Sequence, residues 1–291
     1  MHAVPSTKDP GVSAVTTSAA LELPEFRAIA AIMQQDARIH LAESKVTLVH
    51  SRLVRRLRER GLAGFRDYVA LVESDAEERA IMVAALTTNH THFFREKHHF
   101  DHLRQHVLSG LQARARSGAP VRLWSAGSST GEEVYSLAMT LAGEDSASAA
   151  WLRQGDVKLL ATDLAPHAVA GVQRARYPAA TVEPIPAAYR QQWLRSDGED
   201  FLVADELRAL VTARPLNLFE PWPMRQRYDV IFCRNVMIYF EDDAKAELEA
   251  RFVEMLAPGG HLYIGHSERL IGPAAQAMQQ VAQTAYVKVA A

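Results

Sequence analysis

Three short apolar runs in the second half of the chain restrict its fold more than any other feature. VRLWSAG (121–127) closes on a glycine, VKLLATD (157–163) closes on an acid, and YDVIFCRN (228–235) is apolar almost without interruption. A near-continuous apolar strand is buried on both faces, which calls for a parallel sheet covered by helices on each side. Helical patterning lies between and after these runs, at about 131–141, 163–176 and 241–256, and HLYIGHS (261–267) and AYVKVA (285–290) complete the strand set. Strands alternating with helices predict a doubly wound, Rossmann-like α/β domain. Residues 177–210, with Pro178, Pro184, Pro186 and the turn Ser196-Asp197-Gly198, interrupt the alternation and predict a small inserted β subdomain.

Ahead of this domain the apolar period is helical. Phe26, Ile29, Ile32 and Met33 form one stripe. Ser44 is the expected N-cap of a second helix reaching Gly61, with Val46, Val49, Leu53 and Leu57 on one face. Phe65, Tyr68, Val69 and Val72 mark a third helix, and Ser74 with Glu77 three residues later is the expected capping box of a fourth, ending near Leu86. The expected layout is a disordered Ser/Thr/Pro-containing leader (1–20), an all-α N-terminal domain (21–90) and the α/β domain (91–291).

Composition excludes several classes. At 48% hydrophobic and 23% charged residues, a 291-residue chain builds its core without metal or disulfide staples. The single cysteine, Cys233, rules out an internal disulfide framework, and its place in an apolar strand marks it as a core residue rather than a nucleophile. A net charge of −2 means that any attraction to an acidic partner must come from local clustering. No apolar run approaches the ~18 residues of a membrane span, and the N-terminus lacks a signal-peptide pattern, so a cytoplasmic protein with no direct membrane insertion is expected.

The segment Ser125-Ala126-Gly127-Ser128-Ser129-Thr130-Gly131 joins a strand to a helix at the carboxyl edge of the sheet, where nucleotide-like ligands bind. Glu132-Glu133 stand where a phosphate-cradling loop carries Lys-Ser/Thr, so the turn suits a ligand with a positive group. Two acids at a helix N-terminus are also explained by the helix dipole alone. Asp163, at a strand end, has the position of an acid that grips ribose hydroxyls, or simply caps the next helix. Together these features suggest an adenosyl ligand with an amino-acid tail, a description that S-adenosylmethionine fits.

The chain resembles the chemotaxis receptor methyltransferase (CheR) family. The segments that carry the resemblance are TTNHTHFFRE (87–96), WSAGSSTGEEVYS (124–136), TD (162–163), LNLFE (216–220), FCRNVMIYF (232–240) and GHSE (265–268). The resemblance implies a class I methyltransferase fold and an S-adenosylmethionine site formed by Asn89, Thr91, Arg95, Gly127, Glu133, Asp163, Asn217, Leu218, Arg234 and Asn235. Between Glu132 and Glu133 the second is favoured as the ligand contact. It further implies transfer of the methyl group to glutamate side chains of a chemoreceptor's helical bundle, leaving S-adenosylhomocysteine. Ionised glutamate needs no strong base, so catalysis rests on alignment, with Arg95 holding the acceptor carboxylate and Tyr239 placing a donor near the reacting oxygen. A sensor or scaffold that binds the cofactor without turnover is the alternative, and Arg95 and Tyr239 together argue against it.

Two clusters remain. His98, His102 and His106 are spaced by four and could share a helix face as zinc ligands, but no cysteine or HExxH pattern accompanies them and no metal is expected. Lys45, Arg52, Arg55 and Arg56 fall opposite the apolar stripe of the second helix, either as a solvated face or, as in family members, as a dock for glutamate-rich receptor helices. Net charge and the lack of interleaved aromatics speak against nucleic acid. Some family members add a receptor tail peptide to the inserted subdomain as an edge strand. Here the turn Arg195-Ser196-Asp197-Gly198-Glu199-Asp200 is short and acidic, so no tail-peptide tether is expected, and a monomer is expected to act alone.

Overall fold

The computed structural model describes residues 20–87 and 89–289. All but Ala20 of the expected leader, and Ala290 at the end of the last expected strand, lie outside the described residues.

Four helices open the chain: α1 (Leu23–Ala37), α2 (Val46–Glu59), α3 (Phe65–Ser74) and α4 (Ala76–Leu86). Their buried side chains follow the expected stripes, with Phe26, Ile29, Ile32 and Met33 on α1, Val49, Leu53 and Leu57 on α2, and Phe65, Tyr68 and Val72 on α3. Val46 and Val69 are only partly buried. Two caps differ from expectation. Ser44 lies inside a 3-10 turn, Glu43–Lys45, and makes no cap, and α2 ends at Glu59. The N-cap of α4 is Asp75, whose carboxylate accepts the Glu77 and Glu78 N–H at 2.9 and 3.1 Å, because the Ser74 hydroxyl is used to close α3 on the Ala70 and Leu71 carbonyls.

The α/β part follows with α5 (His98–His102), a π-turn (Leu103–Val107) and α6 (Leu108–Arg116), then β1 (Val121–Ala126), α7 (Glu132–Ala142), α8 (Ala150–Gln154), β2 (Val157–Asp163) and α9 (Pro166–Arg174). An insertion comprises β3 (Arg176–Pro178), α10 (Ala179–Val182), α11 (Ala187–Trp193), β4 (Leu194–Asp197), β5 (Asp200–Val203) and α12 (Asp205–Arg208). Its antiparallel sheet runs β3-β5-β4, so the expected β subdomain is present. The chain returns with β6 (Val211–Pro215), β7 (Tyr228–Cys233), α13 (Asp242–Met255), β8 (Leu256–Ile264), β9 (Met278–Ala282) and β10 (Ala285–Lys288).

The central sheet has the order β6-β2-β1-β7-β8-β10-β9, parallel from β6 to β8, with β10 antiparallel to both its neighbours. The period of two feeds two cores. Val121, Leu123, Val230, Phe232 and Tyr263 point into one, and Trp124, Ala126, Ile231, Cys233, Leu262 and Ile264 into the other. Leu248 and Phe252 of α13 belong to the second core, Phe252 packing against Trp124, and the same apolar cluster extends to the buried residues of α1–α4. No helix among the described residues is long and apolar enough to cross a membrane.

Candidate active site

The direction of strand succession reverses between β1 and β7, and in an open α/β sheet the crevice at the carboxyl ends of such strands is the ligand site. A cavity of about 490 Å³ lies there, within the range of small-molecule pockets. Its lining brings together all ten residues expected at the cofactor (Asn89, Thr91, Arg95, Gly127, Glu133, Asp163, Asn217, Leu218, Arg234 and Asn235), together with Tyr239 and Lys45.

The glycine turn is fixed by its neighbours. Gly127 has a φ of 78°, and a Cβ there would lie 2.4 Å from Val236 Cγ2, so only glycine lets the β1 and β7 ends approach. Its N–H and that of Ser128 both donate to the Thr162 carbonyl at 2.8 Å. Asp163 accepts the Ser129 N–H at 2.8 Å and the Ala165 N–H at 2.9 Å and lines the cavity, while the N-cap position of α9 is Ala165, with no side-chain cap. Burial pushes its carboxyl up from the usual range, against the pull of these two bonds.

The two adjacent acids separate. Glu133 faces the cavity and accepts from Ser125 Oγ at 2.7 Å and Arg234 Nε at 2.8 Å. Glu132 turns away to the Thr130 hydroxyl at 2.7 Å, and burial raises its pKa. Glu133 is thus already paired with a cation, which moderates its pull on a second positive group.

Arg234 is the hub of the site. Only 6% exposed, it packs against the rings of Phe100 and Phe232, holds Glu133, donates to the Arg95 carbonyl and reaches His99 Nδ1 at 3.1 Å. His99 Nε2 lies 2.8 Å from the Thr284 hydroxyl. Burial, reinforced by the Arg234 charge, pushes the His99 imidazole down to about 3, so it is neutral. Arg95 itself sits between two non-glycine residues in the left-handed region, Phe94 at 54° and Glu96 at 56°. That backbone costs roughly 1–3 kcal/mol per residue and aims the Arg95 side chain at the cavity mouth, where it donates to the His90 carbonyl at 3.0 Å.

Two acids of the site were not assigned from sequence, although both lie within quoted segments. Glu96 Oε1 lies 2.8 Å from His266 Nδ1 and accepts from Asn235 Nδ2 at 3.3 Å. Burial opposes its ionisation, but the His266 bond and the Arg234 charge outweigh it and hold the carboxyl below the usual range. Glu268, 8% exposed, accepts the N–H of Asn235, Ile238 and Gly265, fixing the turn after β7 in which Asn235 has a φ of 58°. That turn carries Tyr239, whose carbonyl accepts the His40 N–H at 3.2 Å, while Ile39 bridges Phe240. Asn217 Nδ2 donates to the Asp36 carbonyl at 2.6 Å. The segment after α1 is therefore stitched to both sides of the cavity and roofs it.

The histidine trio does not gather. His98 groups with Glu96 and His99 rather than with His102 and His106. His102 bonds the Tyr263 hydroxyl at 2.8 Å and packs beside His106 and His261. Among the described residues the group with ligand spacing is Glu96, His98 and His99, and the Arg234 guanidinium already takes the His99 Nδ1 lone pair there. Cys233 is fully buried and burial pushes its thiol up, in keeping with a core role.

The basic face of α2 needs correction. Arg56 does not face solvent. It donates to the fully buried Glu78 of α4 at 2.9 and 2.6 Å, where Arg60 and the Tyr68 hydroxyl also bond. Arg52 donates to the Leu86 and Thr87 carbonyls at 2.7 and 2.9 Å, closing the C-terminus of α4. Lys45 and Arg55 remain outward, Arg55 with 84% of its side chain exposed and paired with Glu59.

Residues 24–87 match the CheR methyltransferase all-alpha domain and residues 89–287 the CheR methyltransferase SAM binding domain. A probable chemotaxis protein methyltransferase of Rhizobium etli is 44% identical over 261 residues, covering 88% of this chain and 96% of the relative. Chemotaxis protein methyltransferase 2 of Pseudomonas aeruginosa is 40% identical, over 85% of this chain and 87% of its own. The chemotaxis protein methyltransferase of Escherichia coli is also 40% identical, over 87% of each. Matched along nearly its whole described length, the chain belongs to the CheR family of S-adenosylmethionine-binding methyltransferases.

Proposed function

We propose that this chain methylates glutamate side chains on the cytoplasmic helical bundle of chemoreceptors, forming glutamyl methyl esters in sensory adaptation. The observation that carries the reading is the convergence, in one cavity at the sheet's switch point, of the glycine turn and Asp163 with Arg95, Arg234 and Tyr239. S-adenosylmethionine supplies an electrophilic methyl group on a sulfonium.

The residues present suit that group. Leu164, Leu216, Leu218 and Ile39 line an apolar part of the cavity next to Asp163, as a purine beside a ribose requires. Asn89, Thr91, Gly127, Asn217 and Asn235 supply the neutral polar lining, and Glu133 with Arg234 the charged one. Arg95 orients the acceptor carboxylate by charge-assisted hydrogen bonds, and Tyr239 places a hydroxyl beside the reacting oxygen. With the cofactor held by the lining residues, its methyl carbon would pass to one acceptor oxygen held by Arg95 and Tyr239, the electron pair of the broken C–S bond staying on sulfur. A glutamate with a pKa near 4.3 is already ionised at neutral pH, so no base is needed.

Receptor docking through the outward cations Lys45 and Arg55 is part of this reading; Arg52 and Arg56 contribute by shaping the bundle that presents them. A tail-peptide tether is not required. The β4–β5 hairpin turns on Gly198 and Glu199 alone, which leaves little backbone to wrap a peptide end. Arg176 pairs with Asp197 and Asp200 at 3.1 and 2.9 Å, so repulsion of an acidic peptide end falls mainly to Glu199. The working unit is a cytoplasmic monomer. Incubation with methyl-labelled cofactor and receptor-bearing membranes should place alkali-labile label on the receptor. Absence of label, or label stable to alkali, would overturn the reading.

A further inference from the structure

Among the described residues six large apolar side chains are strongly exposed, and two of them, Leu48 at 38% and Ile238 at 47%, line the same cavity. They reach it from separate elements, α2 and the 3-10 turn Met237–Tyr239. One exposed apolar side chain is ordinary, whereas two that line one reaction cavity from separate elements offer apolar contact to whatever enters it.

The surroundings say what. Steps of three, four and three residues lead along one face from Lys45 through Leu48 and Arg52 to Arg55, within an arc of roughly 80° at 100° per residue. Leu48 is thus an apolar residue set between two outward cations, Lys45 and Arg55, with the Arg52 guanidinium turned to the Leu86 and Thr87 carbonyls. A complementary partner carries acids on either side of an apolar side chain at the same helical spacing. A helix about 10 Å across is too wide for a cavity of about 490 Å³, so it must lie across the mouth and send in one side chain. The neighbours of that side chain three and four residues away then meet the rim.

We propose that Leu48 and Ile238 are apolar seats for an acidic amphipathic helix, holding side chains one turn from the glutamate that enters the cavity and so selecting which glutamate is methylated. The inference rests on the reading that the acceptor is a glutamate on a receptor helix. It assigns the choice of site along that helix to shape and apolar contact, and leaves the outward cations to draw the helix in.

Leu48→Ser and Ile238→Ser are surface changes whose folding is checked by S-adenosylhomocysteine titration. Each should raise KM for receptor-bearing membranes roughly tenfold while kcat and S-adenosylhomocysteine affinity hold. The unaltered protein should prefer a synthetic acidic helical peptide whose glutamate is flanked at three and four residues by alanine or leucine over the same peptide with serine there. Unchanged KM in both variants, or affinity for S-adenosylhomocysteine falling in step with KM, would overturn the assignment. A dimer in sedimentation that Leu48→Ser dissolves would give the patch to a second copy and also overturn it. If the unaltered protein leaves no alkali-labile label on receptor membranes, the acceptor reading itself fails, an outcome distinct from a selective failure of the two variants.

Discussion

Asp163 is one carboxylate that ties down backbone while it lines the cavity. It accepts two amide N–H groups, yet burial still pushes its pKa up, so its charge has room for a further hydrogen-bond donor, the role proposed for a ribose hydroxyl. Asp163→Ala should weaken S-adenosylhomocysteine binding by about 1.5–3 kcal/mol, tenfold or more in calorimetric titration, and an unchanged Kd would remove Asp163 from the ribose. Tyr239→Phe should leave that affinity alone and lower kcat, because its hydroxyl is assigned to the acceptor and not to the cofactor; full turnover would refute the role. The place of Asp163 was legible in the sequence because it follows from a strand end, whereas Tyr239 was singled out only through the family resemblance. Glu96 and Glu268 were not legible, since what they hold is the backbone or side chain of Asn235, 139 and 33 residues away. Arg56 was misread for the same reason. Its partner Glu78 lies on another helix, 22 residues on, and no helical wheel of α2 contains it.

At the scale of elements, α2 turns out to be a buttress as much as a surface. Arg56→Ala would leave Glu78 buried with Arg60 and Tyr68 only, at a cost of about 2 kcal/mol that a urea titration would register; an unchanged midpoint would mean that Arg60 alone neutralises the acid. Arg55→Glu, by contrast, should leave stability and cofactor binding intact while raising KM for receptor membranes and flattening its dependence on salt. Equal methylation by both forms at low salt would reduce Arg55 to a solvated residue. The central strands announced themselves because both their faces are apolar. β6 (VTARP) and β9 (MQQVA) did not: as edge strands they bury only one residue each, Ala213 and Met278, and the remaining positions are free to be polar. The cap of α4 went to Asp75 and not Ser74 because a serine that closes the preceding helix has no hydroxyl left for the next one.

Across the whole molecule two buried histidines are held neutral. Burial lowers His99 to about 3 and His261 to about 4, with Arg234 and His102 respectively adding to the effect. In the unfolded chain both would take up a proton near pH 6.5. Below that value the unfolded state binds more protons than the native one. The stability is therefore fully present above about pH 6.5 and is lost as pH falls toward the folded values, at about 1 kcal/mol per pH unit for each histidine. Urea unfolding at about pH 7 and about pH 5 should show the drop, and His261→Gln should lessen it; equal stabilities at the two pH values would mean that neither imidazole is held neutral. The seam between the bundle and the α/β part bears on how such a chain can be divided. One apolar cluster has members in both, and bonds cross between them at Ile39 with Phe240, His40 with Tyr239 and Asp36 with Asn217. A bundle borrowed from a relative would have to bring partners for these residues with it, because the segment that carries them also lines the cavity.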